Sequence, residues 1–210
     1  MRSLFLALTV AIITTSLFAQ NWRDELNMVD KDLRKQHYAH ARKWSIKAIN
    51  SMCDHLGTGR DAMYTLAIAV ADRSMAEAGL KEFDDAHWYW HVALALYPKL
   101  AENDWKQYGE VGEWFASQKD DPAVELPPAV AIKKNEPKCP LSAVQGGYYQ
   151  PVVVGAMVKD DGTPQCPRLV SPTAAPTLAY AAFESLKQFQ FQAGTPAKYE
   201  LTVDFKPPAQ

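Results

Sequence analysis

The chain changes hydrophobic period near its middle. From Trp22 to about Ser117 apolar residues recur at three and four with almost no proline, the signature of successive amphipathic helices. Further on the period becomes two. Val152, Val154, Ala156 and Val158 share one face of a strand, and Asp160-Asp161-Gly162 reads as a hairpin turn, since glycine tolerates positive φ. The returning strand, 163–173, is kept short by its prolines. Pro176 suits the first turn of a helix, with Leu178, Ala182, Leu186 and Phe189 as its apolar stripe. Gly194-Thr195-Pro196 then breaks the run. In the last strand Tyr199, Leu201, Val203 and Phe205 point one way and Glu200, Thr202, Asp204 and Lys206 the other. The pattern predicts an α+β chain: helical hairpins over 20–117, then a three-stranded antiparallel sheet with one packed helix over 139–210. Five prolines and scattered charges between Gln118 and Pro140 predict a semi-rigid linker, placed at 118–138.

The helical half repeats a frame. Phe83, Ala86, Trp90, Ala93 and Pro98 follow one another at intervals of three, four, three and five. Upstream, Tyr38, Ala41, Ser45 and Ala48 keep the same spacing, with Cys53 in place of the proline. An aromatic opens the helix, small alanines let neighbours approach, a large aromatic fills between them and proline stops it. This frame resembles the second helix of a tetratricopeptide (TPR) repeat. Trp105, Tyr108 and Gly109 would open a further helix that caps the stack. The resemblance implies a surface that holds peptides or partner proteins. Two repeats give only a short groove, so a purely structural role stays open.

The N-terminus changes the setting. Arg2, the apolar run Leu4 to Ile13 and Ser16-Leu17-Phe18-Ala19 read as a secretory signal, residues 1–19, cleaved after Ala19. The rival is a retained membrane anchor. A spanning helix wants about 20 apolar residues, and this run is shorter and dotted with Thr14, Thr15 and Ser16. Export implies an oxidising compartment. Cys139 and Cys166, each followed by proline, are then candidates for a disulfide, with two separate thiols as the alternative; Cys53 reads as a small buried thiol.

Composition and motifs exclude more than they assign. A net charge of -2 without a basic patch gives no reason to expect nucleic acid. Asp84, His87 and His91 lie along one helical stripe, as metal ligands could, but no third ligand of clear origin joins the histidines, and no metal or other cofactor is expected. There is no phosphate-binding glycine loop, nucleophile elbow or zinc motif, so the chain reads as a binding protein and not an enzyme.

The C-terminal half has a family likeness. Val152 to Val158, the Asp161-Gly162 turn, Leu169-Val170-Ser171, a helix containing Ala181-Ala182, the run Lys187-Gln188-Phe189-Gln190-Phe191 and a Gly-x-Pro turn before a strand ending in Phe205 follow in order. Together, over about 139–210, they resemble the C-terminal domain of the TonB family. The resemblance implies that the last strand lies near a sheet edge. There Tyr199, Glu200, Thr202, Asp204 and Lys206 would meet an extended peptide, such as the N-terminal segment of an outer-membrane receptor or a strand of another envelope protein. Pro207 and Pro208 would end the pairing. The other reading is a strand that only completes the core. The family's long spacer is missing, and TPR-like helices stand in its place. The leading expectation is thus a periplasmic protein-binding adaptor. Its alternatives are a membrane-anchored energy transducer for outer-membrane transport, if the N-terminal segment is retained, and a structural scaffold without a dedicated ligand.

Overall fold

The computed structural model of the chain describes residues 22–118 and 126–207. The signal segment 1–19, part of the linker and Pro208 lie outside the described residues. Four helices form two hairpins: α1 (22–34) with α2 (Tyr38–His55), and α3 (Arg60–Gly79) with α4 (Phe83–Leu96). Both hairpin turns are built alike. After α1, Gln36 takes φ +59°, its N–H donates to Leu33 and the next N–H, of His37, donates to Asp32. After α3, Lys81 takes φ +68°, its N–H donates to Ala78, and that of Glu82 donates to Glu77. These are Schellman caps, which satisfy the last carbonyls of a helix and turn the chain into the next.

The anticipated small positions are buried. Ala41, Ala48, Ala86 and Ala93 are all 0% exposed, and Trp90 is buried beside Phe115. Tyr38 lies across Gly79, where a Cβ would come within 2.2 Å of its ring. Phe83 is exposed and meets Trp114. The frame recurs from Tyr38 to Phe83, a step of 45 residues, against about 34 in TPR arrays. Pro98 opens a 3-10 turn, Pro98–Glu102. The helix expected to open at Trp105 begins later. Residues Lys106–Tyr108 form a second 3-10 turn, Gly109 holds φ +65°, and α5 runs over Glu110–Ser117. The cause is local: the Trp105 indole N–H donates to the Leu100 carbonyl, which ties that residue to the preceding turn.

The C-terminal half is α+β. Strands β2 (Pro151–Val158), β3 (Pro164–Leu169) and β5 (Ala197–Asp204) make an antiparallel sheet of order β3-β2-β5. Helix α7 (Pro176–Lys187) packs on it, and Val152, Val154, Ala156 and Val158 are buried as their spacing predicts. Gly162 holds φ +84° in the β2–β3 turn. Cys166 and Pro167 fit between the pairs Gly155–Arg168 and Met157–Gln165, where β2 has only Ala156, so β3 carries a bulge with Cys166 at φ +48°.

Three features differ from the periodic reading. A short helix α6 (Leu141–Gly146) precedes β2. Helix α7 stops at Lys187, and Phe189 packs between Phe191 and Tyr199 instead of extending its stripe. The described part of the linker is not a free spacer. Its strand β1 (Ala131–Lys133) pairs with β4 (Gln190–Phe191), and the Ser185 hydroxyl donates to the Asn135 carbonyl. No disulfide joins Cys139 to Cys166. Cys139 shares a cavity with Cys53 of α2, whereas Cys166 lines another with Asp84 and His87 of α4, so the fold keeps the two sulfurs in separate places.

The halves share one hydrophobic core, and α4 packs along β3. Arg73 of α3 lies 3.7 Å from the Tyr89 ring centre of α4 and donates to the Tyr180 hydroxyl of α7 at 3.1 Å.

Candidate functional site

Strand β5 pairs with β2 on one side only, from Ala197↔Val158 to Asp204↔Pro151. Its other side is the edge that matters. The Lys198 N–H donates to the Pro127 carbonyl at 2.8 Å, and its carbonyl accepts from Ala129 at 2.7 Å. Segment 127–129 therefore caps the start of the edge, and the chain then leaves to form β1. In an antiparallel ladder alternate residues turn their backbone groups to opposite sides. Lys198 faces outward, so Glu200, Thr202 and Asp204 do too. The opposite partner agrees: Val153, across from Thr202, spends its own backbone groups on the β3 side, with Val170 and Ser171. Among the described residues, no backbone bond occupies the outward groups of Glu200, Thr202 and Asp204.

The side chains divide as the alternation predicts. Glu200, Thr202, Asp204 and Lys206 are exposed, while Val203 and Phe205 are buried. Glu200 pairs with Arg168 at 3.2 Å across the outer sheet face. Gly155 lies between them in the register; a Cβ there would sit 3.2 Å from the Arg168 side chain, so glycine makes room for the bridge. Lys206 reaches Asp204 at 3.4 Å. Tyr199 stands apart from the other four expected contact residues. Its ring packs on Phe191 at 4.9 Å on the helix side, and its backbone belongs to the β2 ladder. The other edge strand is less suited to pairing: β3 is short, bulged and carries Pro164 and Pro167, which cannot donate.

Sequence reasoning missed two neighbours. Val130 and Ile132 are 61% and 67% exposed, directly after the segment that caps Lys198. The alternation Val130-Ala131-Ile132 is visible in the sequence but was masked by the surrounding prolines and charges.

Most of the TPR-frame residues serve packing, while Phe83 and Pro98 are exposed. The histidine stripe does not converge on a metal. The rings of His87 and His91 stack at 5.7 Å, Asp84 pairs with Lys159 at 3.1 Å, and the described residues hold no group of three or more potential ligands. Burial, with the charges of Asp54 and Glu184 nearby, pushes the Cys53 thiol up to about 12, which makes it a poor nucleophile. Among the described residues no helix is long and apolar enough to cross a membrane. Comparison of the chain with protein-family models and with curated proteins finds no match.

Proposed function

We propose that this protein is a binding adaptor that takes up an extended peptide by strand addition on the outer edge of β5. The observation that carries this reading is the run of outward backbone groups at Glu200, Thr202 and Asp204, on a regular edge strand that the described residues cap only at Lys198. Open edges of this length are usually blunted, because they invite pairing. Here the main chain would supply affinity, and Glu200, Thr202 and Asp204 would meet alternate side chains of the guest. Val130 and Ile132 would offer apolar contact where the capping segment turns away. The order of elements in this half resembles TonB C-terminal domains, and the signal-like N-terminus supports an envelope setting. The guest would then be the N-terminal segment of an outer-membrane receptor or a strand of another envelope protein.

The outward direction of these groups gives a clean test. Proline at Thr202 and Asp204 removes two outward N–H donors and leaves the β2–β5 ladder its bonds. Extended peptides selected from a random library on the intact chain should bind the double variant at least about tenfold more weakly, a loss equivalent to about 1.4 kcal/mol. Circular dichroism should stay unchanged. Alanine at the same two positions should retain most of the affinity, because the main chain does the pairing. Equal affinity of the proline variant and the parent would end the strand-addition reading.

A further inference from the structure

A cavity of about 440 Å³ lies between α1, α3 and the connector that follows α4. Its most buried acid is Asp72 of α3, only 6% exposed. Burial is the main influence on that carboxyl, the charge of Asp30 adds to it, and among the described residues no hydrogen bond or cation opposes them. Together they push Asp72 well above the usual carboxylate range.

The neighbouring acid is in the opposite condition. Asp30 on α1 accepts a bifurcated bond from the Arg34 Nε–H, at 2.9 and 3.0 Å to its two oxygens, and one from the Tyr108 hydroxyl at 2.8 Å. Burial resists ionisation of Asp30, yet these bonds hold its carboxyl below the usual range. Arg34 and Tyr108 are thus already committed. Asp104 of the connector accepts from the Lys106 N–H, and Tyr64 on α3 with the amides Asn27, Asn103 and Gln107 makes up the rest of the polar lining; none of these amides is bonded to Asp72 among the described residues. Two aromatic walls remain. Trp105 is buried and spends its indole N–H on the Leu100 carbonyl, so it can offer the cavity only its ring. Tyr64 is 43% exposed, at the accessible side.

A buried acid to which no described residue donates, in a cavity with aromatic walls, is suited to receive a positive charge. We propose that this cavity binds a primary alkylammonium ion, with Asp72 as its counter-ion and Tyr64 and Trp105 as its walls. A metal ion fits less well, since the described residues hold no cluster of three or more ligating groups. An ammonium needs one carboxylate for charge-assisted hydrogen bonds, and aromatic and aliphatic surface for its stem. Binding is coupled to a proton. Burial favours the neutral form of Asp72 in the empty site. The bound ammonium keeps its own proton, so the Asp72 proton leaves to solvent and an ion pair remains. The ammonium could come from a free amine or from a lysine side chain.

The test uses the whole chain and n-butylamine, titrated calorimetrically at about pH 6 in two buffers of different ionisation heat. Saturable binding is expected, with net release of protons on binding. n-Butanol should not bind. Asp72→Asn, nearly the same shape, should weaken binding at least about tenfold and abolish proton release. Tyr64→Leu, at an exposed position, should weaken it about threefold. A capped Gly-Lys-Gly peptide separates the sources: tighter binding than butylamine indicates a lysine side chain, weaker binding a free amine, and either supports the site. Absence of saturation by about 50 mM amine, equal binding of n-butanol, or an unaffected Asp72→Asn would overturn the proposal.

Discussion

Asp72 follows directly on the apolar run Leu66-Ala67-Ile68-Ala69-Val70-Ala71 and precedes Arg73. Such a residue either finds a partner or stays neutral. Among the described residues it finds none, and the sign of its contribution to stability follows. Its folded pKa is raised above the ordinary value of 3.8, so between that value and the raised one the folded chain holds a proton that the unfolded chain has lost. Stability from this group is complete below the unfolded value and is lost as pH rises through the folded one. Asp72→Asn should therefore leave stability near pH 3 unchanged and raise it at neutral pH by roughly 1–2 kcal/mol, the usual cost of an uncompensated buried polar group. Urea unfolding of the parent and the variant from acid to neutral pH measures this. Curves that stay parallel across the range would show that Asp72 is compensated. The sequence displays the anomaly, but no period or spacing says which acid on a helix will line a cavity with Trp105 and Tyr108.

The two hairpins show which features of an element are local. Their alanine and aromatic frame is readable in the sequence, and so are the strand alternations and the Asp161-Gly162 turn. The caps are less so, because positive φ falls on Gln36 and Lys81 where glycine is usual. Both residues are exposed, so replacing them removes little packing. Gln36→Gly and Lys81→Gly should each stabilise the chain by about 0.5–1 kcal/mol, since glycine takes the left-handed conformation without steric cost. Thermal midpoints should rise by about 2–4 °C per substitution. A fall in either midpoint would mean that the side chain makes a contact worth more than the backbone strain. Elements of two or three residues were not legible: β1 and β4 are too short for any period to register and exist only because they pair. The early end of α7 has the same origin, since Phe189 and Phe191 are drawn into the Tyr199 cluster.

The chain as a whole is less divided than its change of period suggests. Arg73 joins three helices from both halves and also lies 3.7 Å from Glu77, itself held by Arg42 at 3.2 Å. Lys187 of α7 sits 4.1 Å from the centre of the Tyr89 ring and pairs with Asp85 of α4 at 2.8 Å. With one core and a charged seam, unfolding should be a single cooperative transition when followed at once by tryptophan fluorescence, weighted to the helical half, and by backbone circular dichroism. Arg73→Ala should cost roughly 3–4 kcal/mol, because it leaves Glu77 buried with one cation fewer. Two separated transitions in the parent would mean that the halves fold independently. By itself the sequence determined the α+β class, the helical and strand faces and the turn glycines, because these depend on neighbours within a few residues. Only the tertiary structure decided the rest: which strand keeps outward backbone groups unpaired among the described residues, that the linker caps it at Lys198, that Cys139 and Cys166 stay apart, and that Asp72 lines a cavity with Tyr64 and Trp105. Each of those depends on groups brought together from distant positions, and hydrophobic periodicity carries no record of which distant groups will meet.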